Sequence, residues 1–278
     1  MRATALHDTR PTTNTVNPTT APVEDARETG VRATSAADGS GAMFDRIARR
    51  YDLLNRVLSL GIDRSWRRRA VQATGLRADS EAEVLDLATG TADLALELSE
   101  AFPRARVLGV DPSPRMLEIG RRKCAGEERI ELVEGDAQAL VAPDASFDAV
   151  TIAFGIRNVP DREAALREMA RVTRPGGRVV VLELAEPRSG ILGVPARFWV
   201  HHVVPRLGAL LSGDREYRYL QTSIARFPSA EEFAATMNCC GLEVIDRVSL
   251  TFGAATLFVA RPRDTKRVAA PPAAEESR

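Results

Sequence analysis

A chain of 278 residues with 44% hydrophobic and 27% charged side chains has the composition of a soluble globular protein, and its length allows one large domain or two small ones. The formal net charge is zero, so no global basic field marks nucleic acid as a partner. Three cysteines, Cys124, Cys239 and Cys240, are too few and too oddly spaced for a disulfide framework or a zinc site. No metal is expected, and a reducing cytoplasm suits the set.

In chain order, residues 1–41 are rich in Thr, Pro, Ala and Asn with hardly a large apolar side chain. Such a segment cannot bury enough surface to offset its ordering entropy, so it is expected to be disordered. It holds no apolar core segment of the kind a secretory signal needs. The folded domain is expected over 42–262, followed by a disordered tail, 263–278. From Met43 to Thr74, Phe44, Ile47, Tyr51, Leu54 and Leu58 recur at helical spacing among many arginines, which predicts a basic helical lid. Then strands and helices alternate. Strands are predicted at Glu83–Ala88, Arg106–Asp111, Ile130–Glu134, Phe147–Phe154 and Arg178–Leu184. Helices are predicted at Asp93–Glu100, Pro114–Lys123 and Arg162–Val172, the last stopped by Pro175-Gly176-Gly177. A helical insert over 191–228 precedes a helix at Ala230–Met237, with Cys239 and Cys240 as buried small residues at its end. Strands Leu242–Leu250 and Ala255–Ala260 complete seven. The apolar stretch Ile191–Leu211 is broken by Pro195, Arg197, His201, His202, Pro205 and Arg206, so no run reaches the roughly 18 residues of a membrane span.

Repeated βα units imply an α/β fold, a mostly parallel sheet with helices on both faces. Ligands bind such sheets outside the carboxyl ends of the strands. After the first strand, Asp86-Leu-Ala-Thr-Gly-Thr-Ala-Asp93 places small residues at 88, 90 and 92, which let the backbone turn tightly against a ligand. Asp86 can fix that loop or take a ligand amine. Asp111 ends the second strand, about twenty residues past Gly90, where a carboxylate accepts ribose hydroxyls. Asp136, after the third strand, can take the exocyclic amine of adenine. A full G-x-G-x-x-G, a P-loop and the Tyr and Lys pair of short-chain dehydrogenases are missing. The loop after the fourth strand, Ala153-Phe-Gly-Ile-Arg-Asn-Val159, is not the Asn/Asp-Pro-Pro-Tyr/Phe amine clamp.

The Asp-x-Ala-x-Gly-x-Ala loop with its two later acids resembles the S-adenosylmethionine site of Rossmann-like class I methyltransferases. Phe154-Gly-Ile-Arg-Asn-Val159 resembles the menaquinone and ubiquinone biosynthesis C-methyltransferases. So do Phe44-Asp45-x-Ile47-Ala48-x-x-Tyr51-Asp52-x-x-Asn55, Ser59, Trp66, Arg171-Val-Thr-Arg-Pro-Gly-Gly177, Glu183 and Tyr217-x-Tyr219-Leu220-x-x-Ser223-Ile224-x-x-Phe227-Pro228. The resemblance spans Met43 to Pro262. It implies S-adenosyl-L-methionine as methyl donor and a ring carbon of demethylmenaquinol, or of its benzoquinol analogue, as acceptor. It implies cofactor contacts at Thr91, Asp111, Asp136, Ala137 and Ala153, beside Asp86 and Gly90 of the first loop. This chain departs from the family with Asp63 for a usual His, Ala92 for Gly, and Ala153 and Ala185 for Ser; at 153 a hydroxyl is lost and a backbone contact stays.

Arg157 and Asn158 lie on the acceptor loop, where they can stabilise and orient a phenolate or simply brace the loop. Tyr51 and Tyr217 can reach in from flanking helices, to touch the acceptor or to pack; Tyr51 is taken as the catalytic candidate. A polyprenylated quinol needs a greasy route. The basic lid and the Trp199-bearing insert suit a membrane surface, which would place the chain on the inner face of the membrane, or a lid packed on the sheet. A homodimer stays open. Three alternatives remain: another small-molecule methyltransferase, an RNA methyltransferase, disfavoured by the zero charge, and a non-catalytic adenosine-binding partner in a quinone-synthesis complex.

Overall fold

A computed structural model describes residues 61–185 and 214–263, with Asp45, Ala48, Arg56 and Ser59; within 214–220 the described side chain is that of Tyr219. The expected extensions 1–41 and 264–278, Tyr51 with most of the lid, the insert 191–213 and the side chain of Tyr217 lie outside the described residues.

Seven strands form one sheet: β1 (Glu83–Leu87), β2 (Arg106–Asp111), β3 (Ile130–Glu134), β4 (Phe147–Ala153), β5 (Thr173–Leu184), β6 (Leu242–Leu250) and β7 (Ala255–Pro262), in the order β3-β2-β1-β4-β5-β7-β6. All neighbours are parallel except β7, which runs antiparallel to β5 and β6. The order reverses between β1 and β4, and the loops after these strands open a crevice there. The helices are α1 (Asp63–Ala73), α2 (Asp93–Ala101), α3 (Pro114–Lys123), α4 (Arg162–Val172), α5 (Asp214–Ala225) and α6 (Ala230–Cys239).

Alternation along the strands splits the core. Val179 and Val181 join Ala165, Leu166 and Met169 of α4 and Phe233 and Met237 of α6 on one face. Val180 and Leu182 join Trp66 and Ala70 of α1 on the other, where Val84 and Val107 meet Leu94, Leu98 and Leu117 of α2 and α3. Successive strand side chains point to opposite faces, so strands buried on both sides read as near-continuous apolar runs. Ser113 and Asp161 cap α3 and α4 through their side chains, and Ser229 with Glu232 closes a capping box on α6.

Two expectations change. Helix α4 ends at Val172 as foreseen, but Pro175-Gly176-Gly177 lie inside β5, which already starts at Thr173; the ladder skips from the Phe147–Thr173 pair to Ala149–Arg178, a bulge that absorbs those residues. Gly177 is required there, since a Cβ would lie 2.7 Å from the Asp148 carbonyl. Cys240 is buried, but Cys239 is exposed, because adjacent helix positions face about 100° apart. Finally, the buried stripe of α1 (Trp66, Arg67, Ala70, Val71) faces the protein, while Arg64, Arg68 and Arg69 are exposed. Among the described residues no helix is long and apolar enough to cross a membrane.

Candidate active site at the carboxyl edge of the sheet

The loop after β1 turns because Ala88, Gly90 and Ala92 all adopt left-handed backbone, with φ of 49°, 56° and 66°. Two of them are alanines, for which this conformation costs roughly 1–2 kcal/mol each, so neighbours must hold the turn. Asp86 is one such holder: its two carboxylate oxygens accept from the Thr89 and Thr151 hydroxyls at 2.7 Å each. Asp111 is the other. One of its oxygens accepts from Gly90 N–H at 2.9 Å and the other from Ser113 N–H at 2.8 Å. Gly135 N–H donates to the Asp111 carbonyl at 3.2 Å, which brings the β3 loop and Asp136 alongside. Burial pushes the Asp86 carboxyl up to about 6, against its two hydroxyl hydrogen bonds. Burial also pushes Asp111 up to about 6; the backbone N–H groups oppose this and the charge of Asp45 adds to it.

Asp45 accepts from the Ser113 hydroxyl at 2.6 Å, so the lid segment touches the loop that carries Asp111. Behind the β1 loop lies a charge network. Arg67 pairs with Asp63 at 2.8 Å, Glu97 at 2.9 Å and Asp93 at 3.3 Å. Lys123 pairs with Asp93 and reaches the Thr91 hydroxyl at 3.1 Å. Asp63 stands where the resembled family usually has His, and here it serves as an anion for Arg67.

On the other side of the crevice the loop after β4 lies hard against the first. A Cβ on Gly155 would come 2.5 Å from the Ala88 Cβ. Phe154, at φ 57°, bends the chain out of the strand into a short 3-10 turn, Ile156–Asn158. Arg157 is buried there: its Nη1 bonds Glu183 at 2.7 Å and the Phe154 carbonyl at 2.5 Å, and its backbone N–H donates to Glu183 at 3.1 Å. Asn158 Nδ2 donates to the Phe154 carbonyl at 3.4 Å, and its Oδ1 accepts from the Tyr219 hydroxyl of α5 at 3.2 Å. Trp66 packs on Phe154 with ring centroids 6.2 Å apart and donates its indole N–H to Thr251 at 2.8 Å.

The structure therefore brings Gly90, Asp111, Asp136, Ala137, Ala153, Arg157 and Asn158 to one edge. At three residues the side chain is engaged within the protein. Asp86 is only 1% exposed and faces the Thr89 and Thr151 hydroxyls inside the protein, so it fixes the turn; Asp111, held by two backbone N–H groups, keeps some exposure and lone pairs for a ligand. The Thr91 side chain is buried toward Lys123, which leaves its backbone for a ligand. The Arg157 guanidinium is turned onto Glu183, the bracing alternative. Asp136 is half-buried and accepts from Gln138 N–H and Nε2 at 2.9 Å. Sequence reasoning named Tyr219 and Asp45 only within the resembled motifs, with no role at the site, and missed Thr251. Tyr219 sits in a Tyr-x-Tyr pair that could have flagged it; Thr251 carries no local signal.

The site suits an adenosine with a charged tail. A buried carboxylate at a strand end, a turn of small residues and a helix, α2, that starts without a side-chain cap offer an acceptor for hydroxyls and backbone donors for an anion. The comparisons point the same way. A family model described as the ubiE/COQ5 methyltransferase family matches residues 33–261. A demethylmenaquinone methyltransferase of Deinococcus radiodurans is 49% identical over 223 residues, 80% of this chain and 91% of that one. A ubiquinone/menaquinone biosynthesis C-methyltransferase of Geobacter sulfurreducens is 44% identical over 239 residues, 84% of this chain and 93% of that one. Among solved structures, the [4+2]-cyclase SpnF superposes with a TM-score of 0.59 at 19% identity, covering 80% of this chain and 95% of that one. That likeness shows the Rossmann-like fold alone, because one fold hosts several chemistries.

Proposed function

Because the chain belongs to the ubiE/COQ5 methyltransferase family, we propose that it transfers the methyl group of S-adenosyl-L-methionine to a ring carbon of demethylmenaquinol, giving menaquinol. The observation that carries this reading is the contact of Gly155 with Ala88, which sets the acceptor loop directly on the cofactor loop. When bound, S-adenosylmethionine supplies an electrophilic methyl group on a sulfonium sulfur. Asp111 would hold its ribose hydroxyls, Asp136 and Ala137 its adenine, and the backbone of 90–92 with the start of α2 its carboxylate.

The acceptor side must make a ring carbon nucleophilic. The Tyr219 hydroxyl donates to Asn158, so its oxygen is left as an acceptor for a quinol O–H. That hydrogen bond polarises the ring O–H, orients the ring and raises electron density on the neighbouring carbon, while the proton itself leaves to solvent as the methyl group is transferred; neutral Tyr219 positions the ring oxygen and is not the base. Arg157 and Glu183 hold the loop that carries Asn158. Phe154 and Trp66 exclude water from the ring, and correct placement of the reacting atoms can supply about 7–11 kcal/mol of the barrier. The exposed Arg64, Arg68 and Arg69 of α1 suit the anionic lipid surface on which a prenylated quinol resides.

The test is initial rates of labelled methyl transfer to reduced demethylmenaquinone and to the benzoquinol analogue, side by side. We expect transfer to both and faster transfer to the naphthoquinol. Tight cofactor binding with transfer to neither sinks the proposal and favours the adenosine-binding partner.

A further inference from the structure

We propose that the turn between β6 and β7, with Phe252 at its tip, is the wall along which the isoprenoid chain of the acceptor lies. The inference rests on the quinol reading above. Three elements distant in sequence meet at this point. Leu184 at the end of β5 pairs with Ala255 at the start of β7, so the turn stands on the same sheet edge as the acceptor loop. Trp66 joins the two, with its ring against Phe154 and its N–H on the Thr251 hydroxyl. Leu184 and Ala254 pack on the same apolar cluster. One apolar cluster therefore joins Phe154 of the loop after β4 to Leu184 and to Ala254, two residues past Phe252.

The turn itself is unusual. Thr251, Phe252 and Gly253 are left-handed in succession, with φ of 43°, 55° and 88°. A β-branched residue and an aromatic one seldom take this conformation, and such outliers persist where the surroundings fix them and the site has a use for them. Here the Trp66 hydrogen bond fixes Thr251, and the result is a Phe252 ring 56% exposed. A glycine-rich turn would close the same hairpin without strain and without a large apolar side chain in water. The chemistry of the occupant follows. A chain leaving a ring beside Phe154 would run along this apolar cluster, and a polyisoprenyl chain has no polar group that needs a partner. Its flat alkene units suit aromatic faces.

The experiment measures kcat/KM with demethylnaphthoquinols bearing no, one or four isoprene units, for the wild-type chain and for Phe252→Ala, Phe252→Leu and Phe252→Lys. Wild-type kcat/KM should rise with chain length. Phe252→Ala should lower it about tenfold for the longest acceptor, through KM, and less than twofold for the chainless ring, with Phe252→Leu recovering most of the loss. Should Phe252→Ala fail to fold, Phe252→Lys at this exposed position carries the same test, with a larger loss. An equal loss on all three acceptors, or none on the longest, overturns the inference while leaving the quinol reading intact. A wild-type chain that methylates none of the three overturns both.

Discussion

The two sides of the crevice are built on different principles. The side formed by the loops after β1, β2 and β3 is polar and local. Buried Asp86 and Asp111 hold a turn of small residues through hydrogen bonds of 2.7–2.9 Å, and all but the Thr151 link stay within about two dozen residues of one another. The side formed by the loop after β4 and the β6–β7 turn is aromatic and non-local. Trp66 and Thr251, 185 residues apart, share a hydrogen bond there, and Tyr219 reaches Asn158 from another helix. A nucleoside presents the same hydroxyls and amine to every enzyme that binds it, so fixed polar groups suffice on the first side. The acceptor differs between enzymes, and on the second side long-range packing sets its shape.

This contrast predicts effects that separate by side. Arg157→Ala leaves the Glu183 carboxylate buried without its partner, which should lower unfolding free energy by about 3–5 kcal/mol. Denaturant unfolding reads the stability, and equilibrium dialysis of the folded fraction should give a cofactor dissociation constant within about threefold of wild type. A hundredfold loss of cofactor affinity would mean that the two sides are not separable. Asp111→Ala should act on the other side, weakening cofactor binding by roughly 100-fold through loss of charged hydrogen bonds worth about 1.5–3 kcal/mol each, as read by calorimetry.

Binding should also depend on pH. The Asp111 carboxyl titrates near 6 in the folded protein, and ribose hydroxyls bind its ionised form better. Affinity should therefore rise from pH 5 to pH 7, by roughly tenfold, and stay level above. A flat profile in this window would remove Asp111 from ribose recognition. Tyr219→Phe removes one hydrogen bond, worth about 0.5–1.5 kcal/mol; turnover should fall roughly two- to tenfold with cofactor affinity unchanged. Trp66→Phe keeps the ring contact with Phe154 but loses the bond to Thr251. It should cost about 1 kcal/mol of stability with turnover and cofactor affinity within about twofold of wild type.

The same contrast explains what the sequence could disclose. The strands were legible because burial on both faces leaves apolar runs such as Val179–Leu182. The β1 turn was legible because small residues at 88, 90 and 92, around a single glycine, mark a tight turn whose backbone a ligand can approach closely. The role of Asp86 was not, since brace and ligand contact differ only in where the Thr89 and Thr151 hydroxyls fall. Arg157 and Asn158 were placed on the loop after β4, where they lie, yet nothing local said that Glu183, on the next strand, would claim the guanidinium. Thr251 and Phe252 carry no periodicity or motif, and their place beside Trp66 exists only once β6, β7 and α1 have packed.

The central claim is that polar loops on one side of the edge aim a methyl group at a ring carbon held on the other. Its most direct test is the carbon NMR spectrum of the product formed from methyl-labelled S-adenosylmethionine and reduced demethylmenaquinone. The account predicts a single labelled signal at the shift of a ring-bound methyl carbon. A signal at the shift of a methoxy carbon, or no labelled product from protein that binds the cofactor, would contradict it.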